Sequence, residues 1–311
     1  MILAISYSDR LSAASGEVEI QVEDHQQRWQ GSWYPVLGDQ MNVQIGYRGE
    51  QLFNCGDFQL DELELDGPPD TMRLRGLASY ITPAMRTRNS AGYEKQTVTE
   101  IARGIAAKYD LEFIAAAESE EGGIGFERIT QRLETDLEFL KRLAIEHGYD
   151  FTVRGSQLIF YSCAALKAIP AAVTMSRADA IGFSFKNRTR RIYGGAQVSY
   201  FDPATKQLIA GTASATHAAP GADILKIVRR CENGVQASAK ALAALELHNA
   251  ESIEMRIEGP GNTKLVAGSN VLVEGWKALD GIYQIETAHH RIDRASGYTT
   301  SIAANRIGNA K

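Results

Sequence analysis

Six histidines, three cysteines and one dense run of carboxylates are the residues of this chain that could do chemistry. A zinc centre or a helical general base needs ligands repeated at fixed spacing, as in His-Glu-x-x-His or paired Cys-x-x-Cys. Neither pattern occurs. His289 and His290 are adjacent, so on a strand they point to opposite faces and cannot chelate together. His25, His147, His217 and His248 read as structural or surface residues. Gly122-Gly123-Ile124-Gly125 lacks the Lys-Ser or Lys-Thr that completes a phosphate loop and reads as an ordinary loop. Asp57, Asp61, Glu62, Glu64 and Asp66 could suggest calcium or a glycosidase pair. Carboxylates along a strand decorate its wet face, and a glycosidase also needs a cleft and one raised pKa. No Gly-x-Ser-x-Gly elbow is present. Lys186, Arg188, Arg190 and Arg191 form the one basic cluster, suited to phosphate, to an acidic partner or to plain solvation. The expectation is therefore a non-enzyme, with no catalytic, cofactor-binding or metal-binding residues and no cofactor.

The composition bounds what such a chain can be. Its 311 residues suggest about two domains and need no staples to fold. With 44% hydrophobic and 23% charged residues it is ordinary globular material, not a disordered chain. A net charge of -5 argues against a general nucleic-acid binder, which would carry a basic face. Cys55, Cys163 and Cys231 are too few and too scattered for a disulfide framework and read as free thiols made in a reducing compartment. The first residues, Met1 to Asp9, have no basic region followed by an apolar run, so no signal peptide is expected. No apolar stretch approaches the roughly 18 residues of a spanning helix, so no membrane insertion is expected.

The elements that would position these residues follow from periodicity. Glu17–Asp24 and Met41–Tyr47 alternate polar and apolar residues, the pattern of strands with one wet face. Phe58–Leu60 runs in one phase and Leu63–Leu65 in the other, which places a β-bulge near Asp61-Glu62. Gly67-Pro68-Pro69-Asp70 turns into a return strand over 71–77. Thr97-Val98-Thr99-Glu100 and Thr135-Asp136-Leu137-Glu138 are capping boxes. They open helices near 98–108, with Ile101, Ile105 and Ala106 on one face, and near 136–147, with Leu137, Leu140 and Ala144 on one stripe. Tyr149–Tyr161 reads as a hairpin turning at Gly155-Ser156. Residues 164–172, with Pro170, suit a linker. A strand at Ile181–Lys186, a hairpin over Ala196–Ser214 turning near 202–205, a helix at 235–248 and three or four strands from Glu254 to Asn305 complete the chain.

The two β parts resemble each other. Asn270–Trp276 matches Asn42–Tyr47, each ending in Gly plus an aromatic. Gly281-Ile282-Tyr283-Gln284-Ile285 matches Gly56-Asp57-Phe58-Gln59-Leu60, and Ser296–Thr299 takes the turn place of Pro68–Thr71. The expected class is α+β, mainly β. Residues 40–77 and 270–305 are expected to be equivalent strands of two related units.

The ordered set of motifs resembles the late control protein D family, the tail hub proteins of contractile-tailed phages and phage-tail-like bacteriocins. The matching residues are Ser6–Arg10 with Glu17–Ile20, the Gly67–Thr71 turn, the Leu133–Ala144 helix and the Gly297–Ser301 closing strand. They span nearly the whole chain. The resemblance implies two related tube-type β-barrel domains with a small α/β insert domain: 1–80 for the first barrel, 81–163 for the insert, and 164–311 for the second barrel with one helix. It implies a homotrimer whose six barrels meet a sixfold tail tube on one side and a threefold central spike on the other. The implied partners are the spike protein, the tail tube protein and other baseplate proteins, with no specific nucleic-acid binding. The implied location is the virion or tail-like particle, assembled in the bacterial host cytoplasm. Relatives usually start with a further strand or two, and some carry a long basic insertion where Ser199–Ile224 is compact here. The other readings are the hub of a type VI or other contractile injection system, or a peptidoglycan-binding or cell-wall-degrading protein. The last is motivated by Tyr93–Tyr109, which resembles a LysM motif. The absence of needle repeats before Lys311 argues against a hub fused to its spike.

Overall fold

The computed structural model describes residues 1–11, 16–78, 83–116, 124–188, 192–203, 205–215, 223–250 and 253–309. The first part is all strand: β1 (Ile2–Arg10), β2 (Glu17–Glu23), β3 (Gln40–Ile45), β4 (Phe53–Asp66) and β5 (Thr71–Ala78). A mixed module follows: β6 (Arg88–Thr97), α1 (Val98–Lys108), β7 (Glu112–Ala116), β8 (Gly125–Thr135), α2 (Asp136–Glu146), β9 (Tyr149–Arg154) and β10 (Gln157–Ser162). Next come α3 (Cys163–Ala168), β11 (Val173–Ser176), β12 (Gly182–Asn187), β13 (Gly195–Asp202), β14 (Gln207–Ser214), β15 (Ile224–Val228) and α4 (Gly234–Asn249). The chain closes with β16 (Ile253–Pro260), β17 (Asn270–Glu274), β18 (Gly281–Asp293) and β19 (Gly297–Asn309).

Both β parts share one 11-stranded sheet, in the order β12-β16-β19-β18-β1-β2-β5-β4-β3, with β17 on β18 and β11 on β17. The same order appears twice. β1-β2-β5-β4-β3 runs through the first part, and β12-β16-β19-β18-β17 runs through the second, all antiparallel. Each long strand carries a bulge at the equivalent place, Asp61 in β4, between Leu60 and Glu62, and Glu286 in β18, between Ile285 and Thr287, and β4 has a further one at Cys55. The sequence match of 56–60 to 281–285 is in register with these bulges. The match of Asn42 to Asn270 is not: the ladders place Gln40 opposite Gln59 and Asn270 opposite Gln284, a slip of two residues. Among the described residues no strand pairing joins β12 to β3 and the sheet is not closed.

The helices form where their caps put them. The Thr97 hydroxyl accepts from the Glu100 N–H at 3.2 Å while the Glu100 carboxylate accepts from the Thr97 N–H at 2.7 Å. Thr135 and Glu138 repeat the exchange at 3.1 and 2.9 Å. The buried stripe of α2 is centred on Phe139, Leu140, Leu143 and Ala144, with Leu137 only packed against it. It meets Ile101 and Ile105 of α1 and Phe151, Leu158 and Phe160 of the small sheet β7-β10-β9 in one core. Residues 164–172 are not wholly a linker. Ala164, Ala165, Leu166 and Ala168 are good helix formers, the Ser162 hydroxyl caps them, and α3 results. The Asn270 side-chain amide donates to the carbonyls of Leu166, Lys167 and Ile169 at 2.6–3.2 Å and fixes where α3 stops. Helix α4, capped by Asn233, lies across β13 and β14. Gly211 permits that approach, because a Cβ there would sit 2.2 Å from the Ser238 nitrogen.

Candidate functional site

The residues singled out for chemistry are dispersed. His25 is exposed and pairs with Glu23 at 2.8 Å. His147 is the buried C-cap of α2, and burial in a site shared with Lys240 lowers its pKa to about 4. His248 lies edge-on to the Tyr193 ring. His289 and His290 do point to opposite faces: His289 meets the Ser8 hydroxyl at 2.9 Å, and His290 is in the core. Glu62 pairs with Arg75, Glu64 and Asp66 pair with Arg73, and Asp57 accepts from Asn42 at 2.7 Å. The acidic run is thus half of a charge ladder. Arg188 pairs with Glu254 at 2.8 Å. His217, Gly122, Gly123, Arg190 and Arg191 lie outside the described residues. Among the described residues no three His, Cys, Asp or Glu side chains gather as a metal site would require, and no helix is long and apolar enough to cross a membrane.

What the fold does assemble is a seam and two free edges. The seam is the antiparallel pairing of β1 with β18, running from Ala4 opposite Asp293 to Arg10 opposite Thr287. On its inner side Tyr7 and His290 are stacked, with ring centroids 6.0 Å apart, and both are buried. His290 Nε2 donates to the Leu265 carbonyl at 3.1 Å, so Nδ1 accepts from the Tyr298 hydroxyl at 2.9 Å. Burial favours this neutral ring and lowers its pKa to about 4. Asp9, also buried, takes Arg154 of the α/β module at 2.7 and 2.9 Å and the Ala267 N–H at 3.0 Å. Burial raises the Asp9 pKa, and Arg154 opposes that rise. The Tyr161 hydroxyl donates to the Leu11 carbonyl at 2.8 Å. Nothing local in the sequence marks Asp9 and Arg154 as partners, since 145 positions separate them.

The outer side of the sheet is largely polar, and most strongly charged in the first unit. Arg73 and Arg75 on β5 lie between Glu17 and Glu19 on β2 and Glu62, Glu64 and Asp66 on β4. Across the seam the same face carries Ser6, Ser8, His289, Arg291 and Ser301. The β2–β3 connection, 24–39, presents Trp33, Tyr34, Val36 and Leu37 to solvent, whereas the equivalent 261–269 buries Leu265 and Ala267. Two apolar pairs on either side of Pro35, Trp33-Tyr34 and Val36-Leu37, are the sequence signal for that patch. It has no periodicity and so belongs to no element.

The architecture is that of tail proteins. The sequence profile of the phage tail baseplate hub (GPD) family matches residues 36–296. The probable baseplate hub protein of Escherichia phage P2 is 27% identical over 204 residues, 64% of this chain and 51% of that protein. The chain spans about half the length of the curated relatives it matches. The 43 kDa tail protein of prophage MuSo2 from Shewanella oneidensis shares the fold at a TM-score of 0.72 and 16% identity, covering 98% of this chain and 94% of that one. A component of the E. coli type VI secretion system, described as similar to bacteriophage T4 tail proteins, shares it at 0.58 and 14% identity, covering 100% of this chain and 74% of that one. With 36–296 matched out of 311 residues, this chain belongs to the phage tail baseplate hub family.

Proposed function

We propose that this chain is the symmetry-adapting hub of a contractile tail: a homotrimer that presents two tube-type β units per protomer, six in all, to a sixfold tail tube, and three identical surfaces to a central spike. The observation that carries the reading is the five-strand order repeated within one chain. A protein that only had to cap a threefold spike would need one such unit. Two units per chain in the same sheet give six equivalent positions from three chains. The domain division at 1–80, 81–163 and 164–311 goes with this reading. So do barrels completed between chains, a polar sheet face turned to the lumen, and a place in the baseplate of a particle assembled in the host cytoplasm. The work is geometric, so no reaction is assigned. The fold shared with a type VI secretion component supports a second setting for the same mechanism, the hub of a contractile injection system. In the Tyr93–Tyr109 stretch that resembles a LysM motif, Ile101, Ala102, Ile105 and Ala106 pack in the core with α2, which favours a packing role for that helix face.

The test is the mass of the hub co-expressed with its spike. Three hub copies per complex are expected. A stable one-to-one complex, or six identical hub copies in the assembled tail, overturns the symmetry-adapter reading.

A further inference from the structure

Because each five-strand unit has one seam position on either side, the in-chain seam specifies what a seam between chains must look like. β1 pairs Ser8 with Glu17, and β12 pairs Lys186 with Glu254. Glu17 faces Leu77 on β5, and Glu254 faces Asn305 on β19. With Asp61 and Glu286 as matching bulges, β12 is the counterpart of β1, and the outer half of β4 is the counterpart of the outer half of β18. Inside the chain, β1 covers that half of β18. The corresponding half of β4, Glu62–Asp66, and the outer side of β12 have no strand on them among the described residues.

We propose, resting on the ring reading above, that β12 of one protomer adds antiparallel to the outer half of β4 of the next. The register is Ser184 opposite Asp66 and Lys186 opposite Glu64. This is the in-chain register, Ser6 opposite Arg291 and Ser8 opposite His289, carried to the equivalent residues. The occupant of the free β4 edge is thus a second copy of this chain. Two independent observations fit it. The charges are complementary: β12 and the residue after it bring Lys186 and Arg188, and β4 offers Glu62, Glu64 and Asp66. The apolar residues on the inner side are left half-covered, as a missing strand would leave them. Leu65 is 50% exposed, whereas His290, at the same place in the closed seam, is 1% exposed, and Phe183, at the place of half-buried Ile5, is 47% exposed. An open edge of this kind is also an aggregation hazard unless something covers it.

The experiment is disulfide trapping in the purified full chain, which captures even weak association. Ser184→Cys combined with Asp66→Cys should give disulfide-linked multimers on oxidation. Ser184→Cys combined with Glu62→Cys places the second thiol on the same face but about 13 Å along the strand. That variant should link about tenfold less, because disulfide geometry tolerates little separation. Lys186→Glu should lower the yield of the first pair, and adding Glu64→Lys should restore it. Thermal unfolding of each variant establishes that it is folded, and sedimentation gives its mass. Equal linking by the two pairs overturns the register. A trimer by mass without a 184–66 link overturns the β12–β4 seam while leaving the ring reading standing. A monomer at every concentration with no link overturns the β12–β4 seam, while the mass of the hub–spike complex decides the ring reading separately.

Discussion

The two five-strand units differ where their surroundings differ, although their strand order is the same. At the place held by buried Asp9 in the first unit, the second has exposed Asn187. At the place held by His290 in the second, the first has half-exposed Leu65. Gly76 of the first corresponds to Ala304 of the second, and Arg75 to Ala303. The polar side chains buried at the in-chain seam, Asp9 and His290, are satisfied there because the α/β module and the 261–269 connection supply Arg154, the Ala267 N–H and the Leu265 carbonyl as partners. A buried polar group without such partners costs on the order of 1–3 kcal/mol, which is why the free edge carries charge and aliphatic surface instead. The strand slot fixes the direction of a side chain, and the neighbours across the seam fix its chemistry.

The largest expected effect concerns His290, because the equivalent Leu65 does not titrate. The folded pKa of His290 is lowered from 6.5 to about 4, so the unfolded chain binds its proton first as pH falls. Its contribution is complete above pH 6.5 and is lost as pH falls from there toward 4. The full loss is about 3 kcal/mol. His147, lowered likewise to about 4, loses stability over the same window. Denaturant unfolding between pH 7 and pH 4 should therefore show a steep fall. His290→Leu should make that slope shallower while lowering the plateau, since the Leu265 carbonyl loses its donor. An unchanged slope would mean that the imidazole is not the buried, neutral group of the seam.

A middle-sized effect is expected where the units are packed differently. A Cβ on Gly76 would come within 2.5 Å of the Met41 methyl, 3.0 Å of the Phe58 Cβ and 3.1 Å of a Val18 methyl. The second unit holds Ala304 at this place, where its counterpart of Met41 is the shorter Val271. Gly76→Ala should destabilise the chain by about 1–3 kcal/mol through overpacking. Adding Met41→Val should recover most of it. If the double variant is no better than the single one, the two units are equivalent in strand order but not in side-chain packing.

Much of this was legible in the sequence because it is locally encoded. Thr97 and Thr135 with their partner glutamates announce α1 and α2, and the phase change between Leu60 and Leu63 announces the bulge at Asp61. Alternation in Glu17–Glu23 and Gln40–Ile45 states which face is wet. The duplication was legible in Gly56–Leu60 and Gly281–Ile285 because both flank an equivalent bulge. It was misread by two residues at Asn42, where an asparagine identity outweighed the ladder. What was not legible is the joining of the two β parts into one sheet. The β1–β18 pairing links residues about 280 positions apart, and no periodicity in either strand names the other. The same holds for Asp9 and Arg154. An isolated Asp at a strand end looks like any wet-face carboxylate until the module that covers it is in place.

The smallest effect is expected on the polar face, and it measures how much the charge ladder of the first unit matters. Arg75 is half-exposed and lies between Glu17 and Glu62, which raise its pKa by hydrogen bonding and charge, Glu17 most. The second unit manages with Ala303 at the same position. Exposed ion pairs contribute little, because both side chains give up freedom and water screens the attraction. Arg75→Ala should therefore cost about 0.2–1 kcal/mol at low salt, as Glu17 and Glu62 are left unpaired on adjoining strands. Raising the ionic strength to 1 M shortens the Debye length to about 3 Å, so the deficit should shrink toward zero there. Chemical denaturation with urea, which leaves ionic strength unchanged, is the measurement to use. A loss well above 1 kcal/mol that persists in salt would show that Arg75 holds the β2-β5-β4 face by packing its stem. The ladder would then be part of the fold of the first unit and not only the dressing of its wet side.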